Sequence, residues 1–355
     1  MEPLAITWFV LIAVLWIGYL LLEGFDLGVG MRMLFASRDE RERRVMLNTI
    51  GPVWDGNEVW LITAGAGTFA AFPEWYASLF STLYVPLTLA LVGLILRAVS
   101  IEWRGKVHTQ RWRSAWTAGI GIGSLIAAFC VGAMLALTTL GLPIDGNGDR
   151  VGGPFVWFGW PAIVGGLAVV GFSLAHGSTF LALKADGSVR SRAAVFAERW
   201  SPACLVPAAI WAVWVQLEHG GNPLSWALVL LAVVGGAWGW VQARARREGL
   251  AFTGYAAFGL FGVAAIFAGV FPKVLPSTID PAFDLTLMNA SSSPYTLGVM
   301  TVITAVSLPI ILGYQAWSYW VFRKRVTPGM IPDAHIVLPA ILRDRDAARG
   351  VAPTA

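Results

Sequence analysis

The sequence predicts an all-α polytopic membrane protein with nine transmembrane helices, its N-terminus outside and its C-terminus cytoplasmic. Three observations predict it. Of 355 residues, 57% are hydrophobic and 13% charged, against about 45–50% and about 25% in an ordinary soluble domain, which argues against a soluble enzyme. Nine apolar runs are long enough to cross a hydrocarbon core, which takes roughly 20 helical residues. Basic residues also alternate in sidedness: 23 of the 25 Lys and Arg fall in alternate loops, and only Arg150 and Lys273 fall on the other side. Cytoplasmic loops carry the Lys and Arg excess, so this pattern sets the orientation.

In chain order the expected spans are 4–35, 56–72, 76–97, 114–141, 155–184, 201–217, 224–242, 251–271 and 295–322, the second and sixth being the shortest. Residues 1–325 then form one transmembrane domain and 326–355 a cytoplasmic tail rich in Pro, Arg and Asp. Nine helices divide naturally into two four-helix bundles plus one peripheral helix. The runs are continuous rather than alternating, which disfavours a β-barrel. The first run lacks the positive n-region and small-residue cleavage site of a signal peptide. Pro86 and Pro309 fall within spans and should kink them. The 39 Gly and 18 Trp suit spanning helices and interfacial belts. Outer segments 142–154 and 272–294 are polar, and the longer should fold over the outer face. A net charge of +4 invites a nucleic-acid reading, but the scattered basic residues are explained by orientation, and no nucleic-acid partner is expected. Cys130 and Cys204 lie in apolar runs with no metal-type spacing and read as packing residues.

Chemistry concentrates in carboxylates where a membrane helix should have none, since an ionisable side chain at a helix centre costs about 2.5–3.5 kcal/mol. The first span contains L-L-E-G-F-D-L-G-V-G, with Glu23 and Asp26 three residues apart on one face. The second opens with G-P-V-W-D-G-N-E-V-W-L, repeating the spacing with Asp55 and Glu58. Four carboxylates are thus expected at one depth near the cytoplasmic side, where neighbouring carboxyls in low dielectric can carry protons. Asp55 equally suits a helix cap, and Glu58 an interfacial turn. Asp26, flanked by Gly24, Gly28 and Gly30, suits a buried polar group in close helix packing. Of four histidines, His108 and His335 fall in cytoplasmic segments and His219 in an outer loop. Only His176 is intramembrane, and it reads as a structural or proton-relay group rather than a haem ligand. Trp54 and Trp60 flank Asp55 and suit interfacial anchoring. No metal site and no catalytic residue is assigned to the chain.

G-F-D-L-G-V-G, followed by P-V-W-D-G-N-E-V-W-L-I-T-A-G, Y-A-S-L-F-S-T-L-Y, L-R-A-V-S-I-E-W-R and H-G-S-T-F-L-A-L-K-A-D-G, resembles subunit II of the cytochrome bd quinol oxidases. The resemblance implies a heterodimeric terminal oxidase of a bacterial plasma membrane that oxidises quinol and reduces O₂ to water by four electrons. Two b-type haems and one d-type haem belong to the partner, subunit I. Subunit II is implied to be haem-free, with nine helices in two four-helix bundles and an extra one. Small accessory subunits and a structural quinone are compatible with the resemblance. Carried over by position, Asp55 matches a carboxylate on the proton path, Asp26 an acidic position near the subunit interface and Trp60 a tryptophan at an O₂ channel. Glu23 stands where some relatives have Asp. The competing readings are a proton-coupled secondary transporter, whose sites lie in discontinuous midplane helices, and a purely structural anchor for a haem subunit.

Overall fold

The computed structural model describes residues 3–107 and 109–331; His108, His335 and the tail beyond Ile331 lie outside the described residues. Eleven α-helices follow in order: α1 (Pro3–Phe35), α2 (Glu40–Ile50), α3 (Trp54–Ala71), α4 (Pro73–Thr82), α5 (Tyr84–Trp103), α6 (Gln110–Leu140), α7 (Trp160–Lys184), α8 (Gly187–Glu218), α9 (Pro223–Arg244), α10 (Glu248–Val270) and α11 (Pro294–Val321). Among the described residues, eight are long and apolar enough to cross a membrane. α3 is not one of the eight, because its opening turns carry Asp55, Asn57 and Glu58.

The helices depart from the expected spans in ways that follow from backbone chemistry. The run 76–97 is not a single helix: α4 ends at Thr82 and α5 begins at Tyr84. Pro86 supplies no N–H and its ring crowds the carbonyl four residues back, at Thr82, so the chain breaks there instead of merely kinking. The run 201–217 is only the apolar part of α8, which starts at Gly187. Hydropathy marks where a helix meets lipid, whereas the Ala, Arg and Glu of 190–199 continue the helix into the polar region. The run 155–184 begins as a helix only at Trp160, after the turns of 153–158. α2, within a segment read as loop, is amphipathic: Asp39 caps it by accepting from the Glu42 N–H at 2.8 Å, and Val45, Met46 and Ile50 are buried.

Packing divides the helices. α3 and α6 pack on α1, and α5 packs on α6; α7, α8, α9 and α10 pack in a second group; and α1 and α6 meet α7 between the two groups. Lipid offers no hydrophobic drive for helices to associate, so close approach of small residues must supply dispersion contacts. At the α1–α7 crossing, a Cβ on Gly28 would lie 1.8 Å from the Ser173 carbonyl oxygen, and one on Gly177 2.8 Å from the Gly28 backbone. α11 is peripheral, with Leu297 its only buried residue. Trp8 Nε1 donates to Thr301 Oγ1 at 3.0 Å and helps hold it. Beyond the C-terminal ends of α6 and α10, β1 (Lys273–Leu275) pairs antiparallel with β2 (Leu285–Thr286), Lys273 pairs with Asp284 at 2.6 Å, and Ser277 Oγ donates to the Ile144 carbonyl at 2.7 Å. The loops after α6 and α10 therefore form one cover.

On the opposite side α2 is strapped down by ion pairs. Glu40 receives a two-pronged bond from Arg104, at 2.9 and 2.5 Å. Glu42 accepts from Arg192, from Ser188 Oγ at 2.5 Å and from the Arg38 N–H at 2.7 Å. Burial alone would raise the Glu42 pKa, but the bonds from Arg192, Ser188 and Arg38 outweigh it and hold the carboxyl down at about 2.

Two predictions follow from the packing and the strap. Gly28→Ala should lower the thermal midpoint of the purified protein, at a cost of about 1–3 kcal/mol from overpacking, while Gly262→Ala, with nothing within 4 Å of its Cβ, should not lower it. Because the Glu42 pKa is depressed on folding, its contribution is complete above the ordinary value of 4.5, shrinks below it and is gone below about 2. Hydrogen-exchange protection across residues 40–50, corrected for the intrinsic amide rate at each pH, should therefore fall between about pH 6 and about pH 3 by more in the native chain than in Glu42→Gln; equal falls would remove Glu42 as the cause.

Candidate functional site

The C-terminal half of α1 brings Glu23 and Asp26 to one face, and both are fully buried. The partner of Glu23 is Arg97, about two-thirds of the way along α5 and also fully buried. A third span that ends at residue 97 makes Arg97 a loop cation; α5 instead runs to Trp103. One Arg97 Nη atom donates to Glu23 at 2.5 Å and lies 3.4 Å from Glu58, whose side chain keeps 21% exposure. The guanidinium also sits 5.7 Å from the Trp54 ring centre, so Trp54 acts here as a cation-facing aromatic. Arg97 Nε and its second Nη, Glu23 Oε2 and Asp26 Oδ1 are buried without a hydrogen-bond partner.

Asp26 joins through amides. Asn57 Nδ2 donates to Asp26 Oδ2 at 2.6 Å, and Asn57 Oδ1 accepts from Tyr319 Oη at 2.7 Å and Gln315 Nε2 at 3.3 Å. Trp60 Nε1 donates to Gln315 Oε1 at 2.9 Å. A peripheral helix is thereby tied to the acid cluster. Asn57, Gln315, Tyr319 and Arg97 are not among the site residues expected from sequence. The third letter after the tryptophan in W-D-G-N was the one available signal for Asn57, while the others become visible only when distant helices meet.

Asp55 lies in the first turn of α3 and is exposed. It does not cap the helix: the cap position is Val53, which makes no side-chain bond. Glu58 is inside α3 rather than in a turn. The expected group of four carboxylates is thus three around Arg97 and Asn57, with Asp55 on the exposed face beside them. Exposure is graded from Asp55 through Glu58 to buried Glu23 and Asp26. Three carboxyls around one guanidinium leave more acid than base, so the group can exchange a proton.

Trp60 is half-buried and its ring packs where a Gly18 Cβ would stand, at 2.1 Å. A cavity of about 570 Å³ lies between α3, α4, α5 and α6, walled by Leu61, Leu91, Leu94 and Met134, with Glu58 and Trp16 at its edge. His176 is fully buried. Its Nε2 lies 3.2 Å from the Leu21 carbonyl, which only accepts, so this nitrogen carries the proton. Phe252 and Phe172 stack on the ring at 4.4 and 5.1 Å between centroids. Its Nδ1 is buried without a hydrogen-bond partner. His219 Nε2 meets the Thr139 carbonyl at 2.7 Å at the C-terminal end of α6. Among the described residues no group of His, Cys, Asp and Glu has metal-binding geometry.

Fold and site define a multi-pass, all-helical membrane protein with a buried ionic cluster at the crossing of its first helices. The family model for cytochrome bd terminal oxidase subunit II matches residues 4–322, and the chain belongs to that family. It is 39% identical over 332 residues to the cytochrome bd ubiquinol oxidase subunit 2 of Bacillus subtilis (strain 168), covering 92% of this chain and 98% of the relative. It is 34% identical over 373 residues to the cytochrome bd-I ubiquinol oxidase subunit 2 of Escherichia coli (strain K12), covering 92% and 96%. The structure of bd oxidase from Geobacillus thermodenitrificans contains a chain of the same fold, with a TM-score of 0.72 and 18% identity over 90% of this chain and 99% of that one. The chain is accordingly a component of a terminal oxidase.

Removing one partner of a buried ion pair costs about 3–5 kcal/mol, so Arg97→Met should sharply lower the thermal midpoint, and adding Glu23→Gln should restore part of the loss. A double variant no more stable than Arg97→Met would show that the two side chains are not energetically coupled.

Proposed function

We propose that this chain is the haem-free subunit of a cytochrome bd-type quinol oxidase in a bacterial inner membrane, and that it conducts protons from the cytoplasm towards the site of O₂ reduction. The observation that carries this reading is the graded set of carboxyls, from exposed Asp55 through Glu58 to Glu23 and Asp26, gathered around Arg97 and Asn57. Intramembrane ionisable groups of this kind are characteristic of proton relays. The haems, two of type b and one of type d, belong to subunit I and supply electron transfer and O₂ chemistry there; the scarcity of histidine, four in 355 residues, supports placing none of them in this chain. Quinol is oxidised in the partner and its protons leave on the outer side, so charge separates across the membrane without a pump.

The topology belongs to the same proposal. α3 is a ninth span, its polar opening turns shielded by Arg97 and α11, and α4 with α5 together make one crossing. α1, α3, α5 and α6 form one four-helix bundle and α7 to α10 the other, with α11 at the edge. The N-terminus lies outside and the basic loops inside. The exposed face of α3 bearing Asp55 lies against subunit I, accessory subunits are small when present, and Trp60 together with the neighbouring apolar cavity gives O₂ its approach. The family relationship leaves the transporter reading without an observation of its own.

Asp26→Asn and Asp55→Asn should each slow quinol-dependent O₂ uptake by roughly a hundredfold, the low end for losing a positioned proton-transfer group. Reduced-minus-oxidised spectra report haem content in the same samples and separate slow proton delivery from failed assembly. Full turnover with full haem in both variants would leave a structural anchor as the better reading. Trp60→Ala should raise the O₂ concentration needed for half-maximal rate, and an unchanged value rejects its part in O₂ access.

A further inference from the structure

The side that carries the basic loops contains a cavity of about 630 Å³, bounded by α1, α7, α10, α11 and the chain that follows α11. Its two halves differ in chemistry. Phe25, Phe180 and Phe252 line its inner wall, the first two stacked at 4.0 Å between ring centroids. Lys184, in the last turn of α7, and the consecutive Arg323, Lys324 and Arg325 line its rim.

The rim has little anionic compensation. Among the described residues, only Arg325 of these four meets a carboxylate, Glu248 at 3.4 Å, and Arg190 already holds that carboxylate at 2.8 Å. One Nη atom of Arg325 is buried without a partner. Lys184 Nζ donates to the carbonyls of Phe322 and Lys324, which gathers positive charge at the rim without neutralising it. The Arg323 guanidinium lies 4.3 Å from the ring centre of the exposed Trp320. Tryptophan favours the headgroup region, so the rim sits at the level of lipid phosphates.

We propose that this cavity binds an anionic phospholipid of the cytoplasmic leaflet, with its phosphate on Lys184, Arg323, Lys324 and Arg325 and its acyl chain along Phe25, Phe180 and Phe252. A free phosphate would leave the aromatic wall without a role. A zwitterionic lipid brings its own cation to a rim that already has four. Guanidinium and ammonium groups together suit a phosphodiester, and the anionic cytoplasmic leaflet supplies it. The site is separate from the acid cluster's exposed side: Tyr319 also lines the cavity, so a bound lipid covers the Tyr319 face and leaves the Asp55 face open. The inference holds whether or not the cluster carries protons.

The test uses the tagged full-length chain in the complex with which it purifies, in nanodiscs containing phosphatidylglycerol or phosphatidylcholine, with retained lipid read by native mass spectrometry. Arg323→Gln with Lys324→Gln alters two exposed side chains, and Leu183→Trp narrows the cavity while keeping every rim charge. The native chain should retain one phosphatidylglycerol in preference to phosphatidylcholine. Each rim cation contributes about 1 kcal/mol near an anionic surface, roughly fivefold, so the double variant should weaken retention about 25-fold. Leu183→Trp should also weaken it. Equal retention of the two lipids, retention unchanged in either variant, displacement by inorganic phosphate at equal concentration, or a quinone as the molecule extracted from the site would each overturn the proposal.

Discussion

The buried pairing of Arg97 with Glu23 and Glu58 is the constraint on which the first half of the molecule depends. None of these groups is tolerable alone in a hydrocarbon setting, and together they fix the depth at which α1, α3 and α5 meet. Asn57 extends the same constraint to α11 by bonding Asp26 on one side and Tyr319 on the other. A helix with one buried residue is thus held by polar contacts rather than by core packing. Arg97, Glu23 and Asp26 each keep a buried polar atom that nothing in this chain satisfies.

The rest of the fold lets that cluster exist. Small residues at the α1–α7 crossing bring backbones within contact distance and exclude lipid from the polar interior. α2 closes the basic side through Glu40 and Glu42, and the joined loops after α6 and α10 close the other. The second group of helices, α7 to α10, is largely apolar, and its buried histidine is wrapped in phenylalanines. The buried ionic cluster and the apolar packing are therefore divided between the two halves of one chain.

Much of this was legible before any coordinates. Long apolar runs located the membrane helices because lipid selects composition over the same length that it selects helix. The two acid pairs stood out because charge is costly there. Arg97 was hidden by the same logic: a cation at the end of an apolar run looks like a loop residue, and only the continuation of α5 to Trp103 places it inside. The break before Tyr84 required weighing Pro86 against the carbonyl at Thr82, and α2 required seeing periodicity in a segment classed by its charge. Asn57, Gln315 and Tyr319 form one hydrogen-bonded set across more than 250 positions of sequence, a distance over which local pattern carries no signal.

Redox-triggered infrared difference spectroscopy of the purified oxidase complex, in H₂O and D₂O, tests most directly whether the buried carboxyls change protonation with the electron transfer they are proposed to serve. Proton transfer through the cluster predicts a carboxylic C=O band that shifts in D₂O and disappears in Asp26→Asn or Glu23→Gln. A spectrum with no such band, or with one that both variants leave intact, would contradict a proton-carrying cluster and reduce Arg97 and its partners to a structural brace.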